Sequence, residues 1–264
     1  MVKQKGARPL VCGNWKLHHD AAQTRRVIRQ LNGLLADQKE VEVVVAPVAV
    51  TLACACATAG RGPIAVAAQN AWWASQGAFT GEWSVQHLRE LGCRYALVGH
   101  SERRALQGES DALVARKAHA CLRGGIVPIV CVGETLAQHR QGQTREVLDR
   151  QLGAVLRPLS GRLARRLVVA YEPVWAIGTG QAAGPDQIND TLAGLHRTVS
   201  GHLGEAVAAQ ARFLYGGSVS PDNAREFVRQ PYVDGLLVGR ASLRAESFAR
   251  LVCRVALVSQ ESQR

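Results

Sequence analysis

The stretch LVVAYEPVWAIGTG, Leu167 to Gly180, decides how the rest of the chain is read. Leu167–Tyr171 is a run of five apolar or aromatic residues, short enough for a strand and apolar on both faces, as a buried parallel strand requires. Glu172 follows at the strand's C-terminal end. Pro173, Val174 and Trp175 then make a stiff start to a loop, because proline fixes its own φ and restricts the residue before it. Ala176 and Ile177 form an apolar tip, and Gly178, Thr179 and Gly180 a flexible end rich in backbone N–H. An apolar tip between stiff and flexible flanks suits a lid that excludes water on closing. A single strand-end carboxylate is by itself more often a solvated loop residue, so the other strands must decide what Glu172 means.

Short apolar runs of the same kind recur along the chain: Leu10–Cys12, Val41–Ala46, Ile64–Ala68, Tyr95–Val98, Ile126–Val130, Phe213–Tyr215 and Gly235–Val238. Amphipathic stretches separate them, the first over Asp20–Ala36 with Val27, Ile28, Leu31, Leu34 and Leu35 at helical spacing. The others cover Val50–Ala59, Val85–Leu91, Asp111–Arg123, Thr144–Leu156, Asp186–Leu203, Asp222–Arg229 and Ser247–Ser259. Eight strands alternating with eight helices, with no Pro/Gly/Ser-rich linker, predict a parallel sheet wrapped by helices. The number and length match a closed (β/α)8 barrel of one domain over residues 10–264, after a short basic tail at 1–9. An open doubly wound sheet would show G-x-G-x-x-G in its first βα turn. That turn reads CGNWKLHHD instead.

Composition bounds the function. Of 264 residues, 47% are hydrophobic and 20% charged, a chain able to bury a large core. MVKQKGARPL lacks the apolar region of a secretory signal, and no window approaches a membrane span. With no signal, the seven cysteines (12, 54, 56, 93, 121, 131 and 253) are expected to be reduced thiols of a cytoplasmic protein. Cys54 and Cys56 form CxC, but no partner follows at zinc spacing, so no metal is expected. The net charge of +11 fits attraction of an anionic substrate. The arginines are spread over helical segments (Arg25, Arg26, Arg29; Arg162, Arg165, Arg166) without interleaved aromatics, so no nucleic-acid partner is expected.

In such barrels chemistry sits at the strands' C-terminal ends. Those ends carry Asn14 and Lys16, Gln69 and Asn70, His100, Ser101 and Glu102, Cys131 and Glu134, Glu172, Gly216–Gly217–Ser218, and Gly239–Arg240. Singly, each has an ordinary explanation: a solvated amine, a structural histidine, a helix cap, a plain turn. Their convergence on one rim argues against all of these together. The two glycine turns, YGGSVSPDN and LLVGRASL, offer N–H groups before a helix to an anion such as phosphate. Arg240 contributes either its side chain or only its N–H. One base, one neutral donor and one cation suit proton abstraction beside a carbonyl, with the growing oxyanion charge held by donors.

CGNWK (12–16), AQNAWWASQGAFTGE (68–82), GHSERR (99–104), CVGE (131–134), YEPVWAIGTG (171–180), YGGSV (215–219) and VDGLLVGRASL (233–243) together closely resemble the triosephosphate isomerase family, in its order and from about Leu10 to Ser259. The resemblance implies interconversion of dihydroxyacetone phosphate and D-glyceraldehyde 3-phosphate, without cofactor or metal. It implies Glu172 as the proton shuttle, His100 as a neutral electrophile with a pKa lowered by the short helix that Ser101 opens, and Lys16 as the positive charge. Asn14 would add a hydrogen bond, and Glu102 would orient Lys16 or the polar network near it. Phosphate would meet the N–H groups of Gly178, Ser218, Gly239 and Arg240. Pro173 to Gly180 would be the lid, latched when closed by Tyr215 and Ser218 to its C-terminal part, Gly180 to Ala183. The loop 69–82, with Trp72, Trp73 and Phe79, would insert into a second copy, bringing Thr80 to the neighbour's Asn14 and Lys16. Two departures from the family pattern are Gln181-Ala182-Ala183 at the lid's second hinge and Arg240 in place of a frequent glycine. Two other readings compete: a binding protein that keeps the barrel and works through its basic exterior, and another phosphosugar isomerase.

Overall fold

The structure is a computed structural model that describes residues 8–176 and 183–261. Eight strands, β1 (Leu10–Asn14), β2 (Glu42–Ala46), β3 (Ile64–Ala68), β4 (Tyr95–Val98), β5 (Val127–Val132), β6 (Val168–Tyr171), β7 (Arg212–Tyr215) and β8 (Gly235–Val238), close into a parallel barrel, with β8 pairing back onto β1. Among the described residues the α-helices are α1 (Ala21–Leu34), α2 (Leu52–Ala59), α3 (Val85–Leu91), α4 (Ser101–Leu106), α5 (Asp111–Gly124), α6 (Leu136–Arg140), α7 (Thr144–Leu156), α8 (Gly161–Ala164), α9 (Pro185–Leu203), α10 (Glu205–Ala208), α11 (Ala224–Val228) and α12 (Ala245–Glu261).

The apolar runs are continuous because both strand faces are buried. Leu10, Cys12, Val44, Leu97, Ile129, Cys131 and Leu214 fill the barrel interior, while Val11, Val43, Val45, Val98, Val130 and Phe213 pack outward against helices. Helix starts follow capping chemistry: Asp20 accepts from the Gln23 N–H while Gln23 returns a bond to the Asp20 N–H, and Ser84 with His87 and Thr135 with Gln138 repeat the device.

The alternation is richer than one helix per strand. The additional short helices α4, α6, α8 and α10 escape period analysis, since one turn shows no repeat. Strand β5 runs to Val132, so Cys131 is buried in the barrel wall, not at its rim. At the opposite, N-terminal end, Glu42, Tyr95 and Arg212 begin three strands and form one polar cluster. Arg212 Nη1 donates to Glu42 Oε2 at 2.6 Å, and the Tyr95 hydroxyl donates to Glu42 Oε1. Every strand thus points its C-terminal end at one mouth.

Candidate active site

The mouth opens into a cavity of about 660 Å³ lined by residues from five strand ends, among them Asn14, Lys16, His100, Glu172, Gly216, Ser218, Gly239 and Arg240. Glu172 follows β6 and is only 3% exposed. Its Oε1 lies 3.0 Å from His100 Nε2, and its Oε2 accepts the Ser101 N–H at 3.1 Å. Burial alone would raise its pKa. The His100 ring, the Ser101 N–H and the nearby Lys16 outweigh burial and hold it below the ordinary carboxylate value.

His100 caps α4, and its Nδ1 accepts the Glu102 N–H at 3.2 Å. A nitrogen that accepts carries no proton, so the ring proton sits on Nε2 and points at Glu172. This is the neutral tautomer. The expected lowering of the His100 pKa is not found: burial does disfavour its charge, but the Glu172 carboxylate at 3.0 Å, with Glu102 behind it, raises the pKa on balance.

Lys16 reaches across from the β1 end to Glu102, Nζ to Oε1 2.5 Å. Its backbone is held left-handed at φ 50°, a conformation that costs a non-glycine residue of order 1–3 kcal/mol and persists only when over-determined. The restraints are visible: the Lys16 N–H donates to Asn14 Oδ1 at 3.1 Å, and Gln69 Nε2 donates to the Lys16 and Ala46 carbonyls, 2.8 Å each. Sequence reading put Gln69 on the rim without a task; an amide holding two backbone oxygens leaves no mark in sequence.

The two glycine turns differ from expectation in one respect. Helix α11 begins at Ala224, so Gly216 to Ser218 are separated from it by a loop braced by Asn223, whose Nδ2 donates to the Ser218 carbonyl. Gly216 and Gly217 are required by packing: an added Cβ would lie 3.0 Å from Glu172 Cγ and 2.1 Å from the Tyr215 hydroxyl, respectively. After β8, Gly239 precedes a 3-10 turn, Arg240–Ser242, and Gly239 and Arg240 both line the cavity.

Of the proposed lid, Pro173 to Ala176 are described; Ile177, Gly178, Thr179 and Gly180 lie outside the described residues, as do Gln181 and Ala182. Trp175 donates its indole N–H to Glu134 Oε1 at 2.9 Å and stacks on His139 with centroids 4.4 Å apart. The same Glu134 oxygen accepts from the Tyr171 hydroxyl at 3.0 Å. Glu134, read from sequence only as a rim residue, therefore anchors the start of the segment after β6 through Tyr171 and Trp175. Ser218 Oγ donates to the Ala176 carbonyl at 2.9 Å, in the same segment; Gly180 to Ala182, where its latching contact is expected, lie outside the described residues. Ala183 is buried, and the buried Tyr215 hydroxyl has no hydrogen-bond partner among the described residues.

The loop 69–82 holds Trp72, Trp73 and Phe79 in one aromatic cluster with centroids 5.3 to 6.0 Å apart. Arg116 sits over the Trp73 ring, and Thr80 is exposed. No group of three or more His, Cys, Asp or Glu that could hold a metal occurs among the described residues. No helix among them is long and apolar enough to cross a membrane.

Residues 9–255 match the family described as Triosephosphate isomerase. Three relatives bear that same name. The protein of Syntrophotalea carbinolica is 46% identical over 93% of this chain and 97% of its own length. That of Moorella thermoacetica is 46% identical over 93% and 98%, and that of Clostridium acetobutylicum 43% over 92% and 98%.

Proposed function

We infer that this chain, which belongs to the triosephosphate isomerase family, interconverts dihydroxyacetone phosphate and D-glyceraldehyde 3-phosphate through an enediolate, a step of glycolysis and gluconeogenesis. The observation that carries the reading is the meeting of a buried carboxylate, an imidazole N–H and an ammonium group in one cavity, with two glycine turns at its far side.

Glu172 takes a proton from C1 of the ketone and returns it to C2. The His100 Nε2–H and the Lys16 ammonium stabilise the oxygens as charge develops, while Asn14 and Glu102 position Lys16. For this, Glu172 must leave His100 and Ser101 and turn to the substrate. That movement frees the Nε2–H for the substrate oxygens. It also withdraws the carboxylate that raised the imidazole's pKa, which favours the neutral ring further. Phosphate is held by the N–H groups of Gly178, Ser218, Gly239 and Arg240, and the lid Pro173 to Gly180 closes over it, with Tyr215, Ser218 and Ala183 as its latch. Closure excludes water from an intermediate that otherwise eliminates phosphate. The reaction needs no cofactor.

A homodimer formed through the loop 69–82 completes the proposal. Leu17 and Val50, near the Lys16 side of the mouth, are each 92% exposed, and Leu106 76%. Large apolar side chains this exposed favour coverage by a partner, and the Trp72–Trp73–Phe79 cluster with Thr80 supplies a matching protrusion. A cytoplasmic location suits the free thiols. A coupled assay with D-glyceraldehyde 3-phosphate on the wild type and Glu172→Gln tests the activity: turnover that survives the substitution overturns the base assignment. Sedimentation at micromolar concentration tests the dimer, and a fully active monomer rules it out.

A further inference from the structure

Outside the mouth, among the described residues, two cysteine side chains stand in contact. Cys56 lies on α2 and Cys93 directly after the turn that ends α3; the residues are 37 apart, and their sulfurs are 3.9 Å apart. Two backbone segments create the contact. Gly92, left-handed at φ 97°, ends α3 and brings the chain against α2, so closely that an added Cβ would lie 3.7 Å from Cys56 Cβ. Both thiols are free; Cys56 is half-buried and open to small solutes, while Cys93 is buried behind it. A disulfide needs the sulfurs at about 2.05 Å, so closure asks for an approach of roughly 2 Å.

We propose that Cys56 and Cys93 are a reversible oxidation site, converted to a disulfide by peroxides. The Cys56 thiolate attacks one peroxide oxygen. The O–O bond breaks, Cys56 becomes a sulfenic acid, and the departing hydroxide takes up the Cys56 proton as water. The Cys93 sulfur then attacks the Cys56 sulfur. The S–O bond breaks, and the second hydroxide leaves with the Cys93 proton, also as water. Two thiols lose two electrons and one hydrogen peroxide becomes two waters.

The environment assigns the order of events. The hydrogen bond with Cys93 holds the Cys56 thiol below its ordinary value despite burial, whereas the same contact and burial raise Cys93. The interior thiols behave otherwise: burial pushes Cys12 and Cys121 up to about 12, and Cys131 well above its usual value. Cys56, the half-buried sulfur of the pair, is the attacking thiol, and the buried Cys93 is the resolving one. The bond would tie α2 to the segment entering β4, enclosing β3, the loop 69–82 and α3 in one covalent loop and restricting the unfolded chain.

The test uses the folded full-length chain carrying Cys54→Ser and Cys253→Ser, treated with hydrogen peroxide, alkylated and digested with trypsin without reduction. The expected product joins the fragment 40–61 to the fragment 90–94, two hydrogens lighter than their sum and separated again by dithiothreitol. The oxidised protein should melt several degrees above the reduced one, and Cys56→Ser should lose both the cross-link and the shift. Oxidation of Cys56 to a sulfinic acid without the cross-link overturns the proposal. So does a cross-link that forms only in denaturant. Cys56→Ser replaces a half-buried thiol on a helix face, and the cross-link in the chain that keeps both Cys56 and Cys93 decides the question even if Cys56→Ser does not fold.

Discussion

Glu172→Asp removes one methylene while keeping the charge, and the structure says how far the carboxylate then falls short. Glu172 now spans two partners, His100 Nε2 at 3.0 Å and the Ser101 N–H at 3.1 Å. Withdrawing it by one C–C bond, about 1.5 Å, stretches these to as much as about 4.5 Å, beyond hydrogen-bond range. The same shortfall applies at the substrate carbon. Misplacement by ~1 Å costs on the order of 10²-fold, equivalent to ~2.7 kcal/mol of barrier. The main-chain groups proposed to hold phosphate are untouched, so KM should stay within about twofold while kcat falls about 10²-fold. Initial rates in a coupled assay across a range of D-glyceraldehyde 3-phosphate concentrations separate the two constants. An unchanged kcat refutes the role of Glu172 as base. A loss confined to KM would make it a binding group and equally refute the reasoning.

Lys16→Ala should lower kcat/KM by about 10²–10³-fold, the usual cost of one transition-state charge contact, with KM rising and kcat falling together; a change in only one of them contradicts its double role. The pH profile follows from Glu172, whose pKa is held below the ordinary 4.5 of its unfolded form. Its contribution to stability is complete above that value and is lost as pH falls through the lower folded value. Comparing the melting of wild type and Glu172→Gln down an acid titration checks this, and a Glu172-dependent stability already lost above 4.5 would contradict the sign. At the barrel floor, Glu42→Ala leaves Arg212 without its carboxylate; both side chains are less than one-fifth exposed. The loss should be about 3 kcal/mol, or roughly 6–12 °C in Tm, with kcat preserved because the cluster lies opposite the mouth. Calorimetry that finds a shift under ~2 °C sinks that assignment.

The alternation of apolar runs and amphipathic stretches was enough to count the strands, close them into a barrel and name its chemical end, because each of those signals is local. A two-face-buried strand must be apolar throughout, and whatever follows it must lie at the mouth. Asn14, Lys16, His100, Glu172 and Ser218 were legible for that reason alone, before any resemblance was considered. The tertiary structure decided what they touch. Glu172 meets Ser101 across 71 residues, Trp175 meets Glu134 across 41, Cys56 meets Cys93 across 37, and Arg212 meets Glu42 across 170. None of these pairs shares a helix face; Trp175 and Glu134 follow the neighbouring strands β6 and β5, whereas Glu172 with Ser101 and Arg212 with Glu42 come from strands that are not neighbours and meet only once the barrel has closed in one register. The same closure put the Glu172 carboxylate beside His100 and so reversed the expected direction of its acidity. Side-chain types at strand ends are properties of the chain, whereas distances between strand ends belong to the closed sheet.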